Sequence, residues 1–540
     1  MNLKNYKQLS DLKTLSSENL KTLSSDIRES IYNEVQKNGG HLGSNLAVVD
    51  LTISLLSYFG DDAYYLFDTG YQAYAYKLLT TRPNVLENMH KINGYSVFQE
   101  IKEGDLYSGG HTSISTAWAS GYKKFLKNII IEIIGDGSLA TSVGLGGMLN
   151  FASDNFSKGL FILNDNKQGI GINKFNYLDW QKIATGMDFV YYEVEDGHDF
   201  CELKKAWDFF SKSSKNVFIK VNTTKAYGIS VPNPDQAWHY HSISSSENNV
   251  FSATKLMKEE LDIIFKNNSD AVLFNAGMMY SYGLIDLQKK YPTQIFDTGI
   301  SEEIAIIEAA AAANLNKQVY VMINSSFFQR TYDQLVHDIF RNKSNITIFI
   351  TSVGINLIGD SHHGIYDLNM YNIFEEIKIY HPSTTGELKS IIKKLDKYKG
   401  VKIIRLEDDL ITDYAEKNIE KWQYEINESA NKVLITYGKS FDLLKTYITK
   451  NKINIGLINA VSLTPLDKDL LKNLFEQKKE IYTYELVMQK NNLAANMRTL
   501  FKDYKIIDFS FKKTTIGRAD EQYILKQNDL DFETIFKNIL

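Results

Sequence analysis

The 540-residue sequence predicts an α/β protein made of three consecutive α/β domains with mostly parallel sheets. Two observations carry that prediction. Apolar, β-branched runs with no polar alternation, such as NIIIEIIG (128–135) and GLFILND (159–165), are separated by segments of helical period. Strands covered on both faces read this way. The alternation also restarts twice, after the polar stretches at 241–252 and 421–432. The domains are therefore placed at 1–245, 254–415 and 430–540.

In chain order, Ser17 is expected to cap a helix through ENLKTLSSDIRESIYNEV. GGHLGSNLAVVDLTISLLSYF and DTGYQAYAYKLLTTR follow as helical segments after Gly-rich starts. TSVGLGGMLNFAS (141–153) reads as a helix with close-packing glycines, and VFIKVNTT (217–224) as a third buried strand. HSISSSENNVFS (241–252) has the composition of a linker. Beyond it, strands are expected at AVLFNAG, QVYVMINSS, ITIFITS, IKIYHPS and VKIIRLE. EKWQYEINESANK marks a second boundary, followed by strands in VLITYGKS, INIGLINAVSL, EIYTYEL and KIIDFSF.

Composition narrows the function. The net charge is −5, with 44% hydrophobic and 23% charged residues, so no basic stripe points to nucleic acid. One cysteine, Cys201, cannot staple the chain. The longest apolar stretch, IAIIEAAAAANL (304–315), is too short for a bilayer and carries Glu308. The N-terminus is too polar for a signal peptide. A cytoplasmic protein with no membrane segment is expected.

The chemistry lies at the ends of two neighbouring runs. IIGDGSLA (133–140) places Asp136 between two glycines, and FILNDNKQGI (161–170) ends in Asn-Asp-Asn. Ligands of open parallel sheets sit beyond the carboxyl ends of the strands. If the two strands are neighbours, Asp136 and Asn166 converge. Asp and Asn oxygens with a backbone carbonyl suit Mg²⁺, which takes its remaining ligands from phosphate and water. Gly135 and Gly137 let backbone approach, and the helix that follows offers its N-terminus to an anion. Each fragment alone reads as a turn; the ordered pair, about thirty residues apart, reads as a metal–diphosphate clamp.

With these motifs in order, the chain resembles the transketolase superfamily of thiamine diphosphate enzymes, most closely the 1-deoxy-D-xylulose-5-phosphate synthases. The resemblance rests on GGHLGSNLAVVDLTISL (39–55), DTGYQAYAYKLLTTR (68–82), GDGSLATSVG (135–144), LNDN (163–166), EDGHD (195–199) and FFQRTYDQLVHDI (327–339). It implies diphosphate-binding, pyrimidine-binding and C-terminal transketolase-like domains, thiamine diphosphate and Mg²⁺ as cofactors, and a homodimer. The implied metal set is Asp136, Asn166 and Gln168. The implied cofactor contacts are Gly135, Asp136, Gly137, Ser138, Asn166, His111, Phe327, Arg330 and Tyr71.

Thiamine chemistry needs one carboxylate at the pyrimidine ring. The resemblance gives that role to Glu302, with Glu303 as competitor; an acidic first turn is also what a helix dipole favours. It implies that Phe327 stacks on the pyrimidine, although an aromatic at a strand end is commonly plain core. It places His41, His239 and His362 in the active site, with His241 and His363 as rivals. His198 is expected to cap a turn, and His90, His337 and His381 to be structural or on the surface.

The departures concern the acceptor. The synthases hold a phosphate with two arginines and a tyrosine, and the aligned positions here are Ser352, Asp408 and Asn324. Asp408 repels a phosphate dianion, and Arg405, three residues away, is the available substitute. Tyr71 stands where the family has His. The loop before GDSHHG is one residue short and lacks an Asp, and the segment between Asn166 and EDGHD is shorter than in the synthases. The leading expectation is pyruvate decarboxylation followed by carboligation to an aldehyde, with an altered acceptor pocket. The alternatives are a transketolase-type ketol transferase, which takes a ketose donor, and a catalytically silent paralogue. An unrelated nucleotide-binding protein needs a Gly-rich loop after a strand, and GLGGM (144–148) follows none.

Overall fold

The structure, a computed structural model, describes residues 3–38, 40–80, 106–107, 111–153, 157–169, 171–172, 175–230, 240–241, 250–356, 359, 361–374, 376–413, 415–517 and 519–540. Two compact units divide it, residues 1–245 and 246–540.

The first unit is built on five parallel strands: β1 (Ala63–Phe67), β2 (Ile129–Gly135), β3 (Gly159–Asp165), β4 (Val190–Val194) and β5 (Val217–Asn222). Their order is β1-β2-β3-β5-β4. The apolar runs at β2, β3 and β5 are the central strands, and every residue of β3 is buried. The edge strands β1 and β4 are not signalled by such runs. β4 keeps four of its five residues half-exposed, so its sequence, VYYEV, carries no strong apolar period. Helix Ser17–Asn38 opens the unit, but Ser16 caps it rather than Ser17: the Ser16 hydroxyl accepts from the Asn19 amide at 3.3 Å. The close-packing glycines of helix Ser142–Ser153 have a definite partner. A Cβ on Gly147 would lie 2.0 Å from Thr116 Oγ1, so helix Ser115–Lys123 can approach only because Gly147 has none.

The second unit holds two large sheets and a two-stranded one. One large sheet contains β6 (Ala271–Asn275), β7 (Ile295–Asp297), β8 (Gln318–Asn324), β9 (Ile346–Thr351), β10 (Ile377–Tyr380) and β11 (Val401–Arg405). The other contains β12 (Gln423–Ile426), β13 (Lys432–Thr436), β14 (Gly456–Asn459), β16 (Glu480–Met488) and β17 (Ile506–Phe511). Between them in sequence, β15 (Ser462–Thr464) leaves the second group and pairs antiparallel with β10, giving the order β7-β6-β8-β9-β11-β10-β15. The other sheet runs β12-β14-β13-β16-β17 and is parallel except at β12. The run INIGLINAVSL is therefore two strands in two sheets. The stretch read as a boundary, EKWQYEINESANK, contains β12. Val250–Ser252, at the end of the expected linker, pairs antiparallel with Asp409–Ile411.

Candidate active site

In the first unit, β2 and β3 are hydrogen-bonded neighbours with Gly135 opposite Asn164. The chain leaves their adjacent carboxyl ends through Asp136 and, two residues past Asn164, through Asn166. Asp136 is buried and opens a single helical turn, Asp136–Leu139, that packs on β3 and on the short strand Gln168–Gly169. The helix expected over 141–153 runs Ser142–Ser153, and the single turn Asp136–Leu139 precedes it. The Asn166 side-chain oxygen accepts from the Gln168 amide at 3.0 Å, which fixes the loop that carries both.

Three segments of the chain meet on Asp68, just past β1. Its carboxylate accepts from the Ser113 amide at 2.8 Å, the Ser115 amide at 3.3 Å and the Ser115 hydroxyl at 2.8 Å, and from Ser138 of the Gly-Asp-Gly turn. Burial pushes the Asp68 carboxyl above the ordinary carboxylate value, against these hydrogen bonds. Asp68 lies within the quoted DTGYQAY segment, yet nothing in that motif marks it as the hub. His111, half-buried, lies two residues before Ser113.

Lys225 was also not singled out. It follows β5, and its ammonium is close enough to Asp136 for the carboxylate to act on it. Burial pulls the Lys225 ammonium down to about 8, with Asp136 opposing. A carboxylate, amide oxygens and an ammonium therefore share one edge of the sheet, a donor set that fits a metal–diphosphate group. Among the described residues no three of His, Cys, Asp and Glu cluster as a metal site, and the expected set contains a single carboxylate. His41 is buried, and its carbonyl accepts from Asn45 Nδ2 at 2.9 Å. His239 and the side chains of Tyr71 and His241 lie outside the described residues.

In the second unit, Glu302 is the first residue of helix Glu302–Asn314 and is 2% exposed, whereas Glu303 is half-buried. Its Oε2 is buried and accepts no hydrogen bond; Arg330 Nη1 stands 3.6 Å away. Burial raises the Glu302 carboxyl to about 6, opposed chiefly by the Arg330 charge. A buried carboxylate oxygen with no donor is costly unless something else supplies one. Phe327 meets the His362 ring edge-on, with centroids 5.5 Å apart. His363 is tied on both nitrogens, to the Asn356 amide at 2.9 Å and the Gly517 carbonyl at 2.8 Å. His362 bonds through Nδ1 to Ser361 Oγ at 2.8 Å.

A cleft of about 160 Å³ in this unit is lined by Glu407, Asp408, Asp409, Lys439 and Glu521, with Arg405 and His381 in its wall. Ser352 Oγ donates to Asp408 Oδ1 at 2.7 Å. Asp408 is exposed in the cleft, and its carboxyl is raised by partial desolvation against the cleft walls and by the charges of Asp409 and Glu407. Arg405 does not replace the missing phosphate ligands. Its Nε and Nη2 donate to Asp367 at 2.7 and 2.9 Å, its Nη1 donates to His381 Nδ1 at 2.9 Å, and 1% of it is exposed. Asn324 also turns away from a binding role: its side chain caps the helix Ser325–Phe328 by accepting from the Ser326 amide at 3.0 Å.

Residues 3–174 match the family model for 1-deoxy-D-xylulose-5-phosphate synthase, and residues 250–411 match the transketolase pyrimidine-binding domain. The 1-deoxy-D-xylulose-5-phosphate synthase of Clostridium tetani is 29% identical over 614 aligned positions, covering 100% of this chain and 99% of the relative. That of Clostridium acetobutylicum is 27% identical over 100% and 99%. The chain belongs to the transketolase superfamily of thiamine diphosphate enzymes. Members of that superfamily are thiamine diphosphate-dependent transferases, so the two carboxylate sites belong to an enzyme. Transketolase from Campylobacter jejuni aligns over 98% of this chain and 99% of its own, at 14% identity and a TM-score of 0.46. No described helix is long and apolar enough to cross a membrane.

Proposed function

We propose that this transketolase-superfamily enzyme binds thiamine diphosphate through Mg²⁺, decarboxylates pyruvate and joins the two-carbon remainder to an aldehyde that carries no phosphate at the cleft. In that reaction the bond from the carboxylate to the keto carbon breaks and carbon dioxide leaves. A carbon–carbon bond then forms to the aldehyde carbon, and the aldehyde oxygen takes up one proton. The bound cofactor supplies the nucleophilic carbon and the electron sink. The chain supplies the rest. Asp136, Asn166 and Gln168 would hold the metal, and Lys225 would face the diphosphate charge. Glu302 would hold or release a proton at the pyrimidine ring, a task its value of about 6 suits.

The observation that carries this reading is the buried Glu302 carboxylate at the start of a helix, whose Oε2 has the Arg330 ion pair at 3.6 Å but no hydrogen bond. The acceptor reading is supported by the cleft, where Asp408 sits among other carboxylates and Arg405 is fully engaged. We assign 1–245 to diphosphate binding, 254–415 to pyrimidine binding and 430–540 to the C-terminal transketolase-like domain. We also propose a cytoplasmic homodimer. Exposed Ile304 and Ile307 on the Glu302 helix, at 38% and 41%, support a second copy covering that face.

The test supplies carboxyl-labelled pyruvate with a set of aldehydes. Release of labelled carbon dioxide, fastest with unphosphorylated hydroxyaldehydes, is expected. Transfer from ketose phosphates without carbon dioxide would move the enzyme to transketolase-type chemistry, and efficient use of glyceraldehyde 3-phosphate would overturn the acceptor reading.

A further inference from the structure

The EDGHD segment has no part in the site described above, yet it stands at the centre of a buried polar network in the first unit. Asp50, on helix Val49–Phe59, is 3% exposed. Arg28 donates to it with both terminal nitrogens, at 3.2 Å for Nη1 to Oδ1, and Ser24 donates its hydroxyl. His198 Nδ1 lies 2.9 Å from Asp50 Oδ2, and His198 Nε2 lies 3.0 Å from the Thr224 amide nitrogen. A backbone amide can only donate, so Nε2 carries the lone pair and Nδ1 carries the proton that it donates to Asp50. The imidazole is thus held in one tautomer between a carboxylate and a loop amide.

That loop is 223–228, which carries Lys225 to Asp136. The residues on either side of Lys225 are tied down. Thr223 donates its hydroxyl to Asn164 at 2.5 Å and its amide to the Asp165 carbonyl at 3.1 Å, at the tip of β3. The Ala226 amide donates to the Gly43 carbonyl at 2.9 Å, two residues past His41. Tyr227 stacks on His198 with centroids 3.5 Å apart and planes at 8°, and the Arg28 guanidinium lies 4.9 Å from the Tyr227 centroid. Gly228, at φ +81°, passes so close to Arg28 that a Cβ would stand 2.8 Å from its Cδ. Ala226, at φ +58°, occupies a conformation that an L-residue adopts only when its surroundings enforce it. The Gly43 carbonyl holds the Ala226 amide, and the His198 ring holds Thr224 and Tyr227 around it.

We propose that His198, backed by Asp50 and Arg28, is a positioning residue that fixes the 223–228 turn so that Lys225 is held beside Asp136 at the diphosphate end of the cofactor site. The proposal rests on the reading that thiamine diphosphate binds there. His198 does not touch the cofactor; it acts through Thr224, Tyr227 and Lys225. The network spans residues 24, 28, 50, 198 and 224–228, so three distant parts of the chain must fold before Lys225 is in place.

The test is a double-mutant cycle on thiamine diphosphate binding, measured by calorimetry with Mg²⁺ present. His198→Asn keeps an N–H for Asp50 and removes the acceptor for Thr224. It is expected to raise the dissociation constant roughly tenfold, as loss of an outer-shell partner of a ligated site does. Lys225→Met is expected to weaken binding as well. The double variant should be no weaker than Lys225→Met alone, because His198 acts only through that lysine. Additive losses would overturn the proposal, as would unchanged affinity in His198→Asn. Hydrogen exchange of the Thr224 amide in the wild-type protein reads the same tether with no cofactor and no substitution. Strong protection supports the proposal even if His198→Asn does not fold, and exchange at an open-loop rate overturns it. Failure of the wild-type protein to bind thiamine diphosphate would sink the cofactor reading, while the exchange measurement would still decide whether His198 holds the turn.

Discussion

Two buried glutamates of the second unit both stand at a helix start and differ in how their carboxylates are paired. Glu485, on β16, is 1% exposed and faces the start of helix Leu493–Leu500. It accepts from the Leu493 amide at 2.9 Å, the Ala494 amide at 3.0 Å and the Tyr437 hydroxyl at 2.9 Å. Glu302 is 2% exposed and opens a helix of its own, but its Oε2 has no hydrogen-bond donor. Burial raises both carboxyls, Glu485 to about 7 with Asp508 adding to it, and Glu302 to about 6. A raised carboxyl therefore does not separate a structural acid from a working one. What separates them is the pairing: three hydrogen bonds close Glu485, whereas Glu302 Oε2 has only the Arg330 ion pair at 3.6 Å and keeps acceptor capacity for a further donor.

The comparison is broken most directly by replacing each acid with its amide. Glu302→Gln should lower turnover by roughly 10²–10⁴, the usual weight of a general acid–base group. Glu485→Gln should leave turnover within a fewfold but lower stability by about 1–3 kcal/mol, because an amide NH₂ would then face buried donors. Steady-state rates and thermal melts on both variants check this pair; equal losses of turnover would remove the distinction. Stability sharpens it. Glu302 ionises less readily in the folded chain, so its stabilising proton is fully held below the ordinary value of 4.5 and is lost as pH rises through about 6. Above that, Glu302→Gln should stabilise the cofactor-free protein by about 2 kcal/mol, read from denaturant melts at pH 8 and at pH 4.

Smaller effects follow at the edges of the two sites. Asp408→Asn should raise kcat/KM for a phosphorylated aldehyde by about tenfold, since one charge–charge repulsion in a partly wet cleft is removed. Arg330→Met should move the acid limb of the kcat/KM profile to higher pH, because the Arg330 charge is what holds Glu302 down toward 6.

The sequence disclosed the central strands β2, β3, β5, β6, β8 and β9 because strands buried on both faces have unbroken apolar runs. It hid β1, β4 and β7, which lie at sheet edges and keep weak periods. It hid β12 and β15 because three or four residues beside a turn leave no periodic signal. The Asp136–Asn166 pair was legible because strand ends and motif coincide in one short window. Asp68, Lys225 and the Arg28–Asp50–His198 network were not, since each joins residues far apart in the chain by contacts with no spacing rule. His381 was expected to be structural or on the surface; it is buried in the wall of the cleft, where it accepts a hydrogen bond from Arg405.

The central claim is that Asp136 and Asn166, on neighbouring strand tips, hold a metal that anchors a diphosphate. Calorimetric titration of thiamine diphosphate into the wild-type chain and Asp136→Asn, each with Mg²⁺ and with the metal chelated, tests it most directly. Saturable binding is predicted only for the wild-type chain with Mg²⁺, weakened roughly tenfold or more by Asp136→Asn. Equal affinity with the metal removed, or equal affinity in the variant, would contradict it.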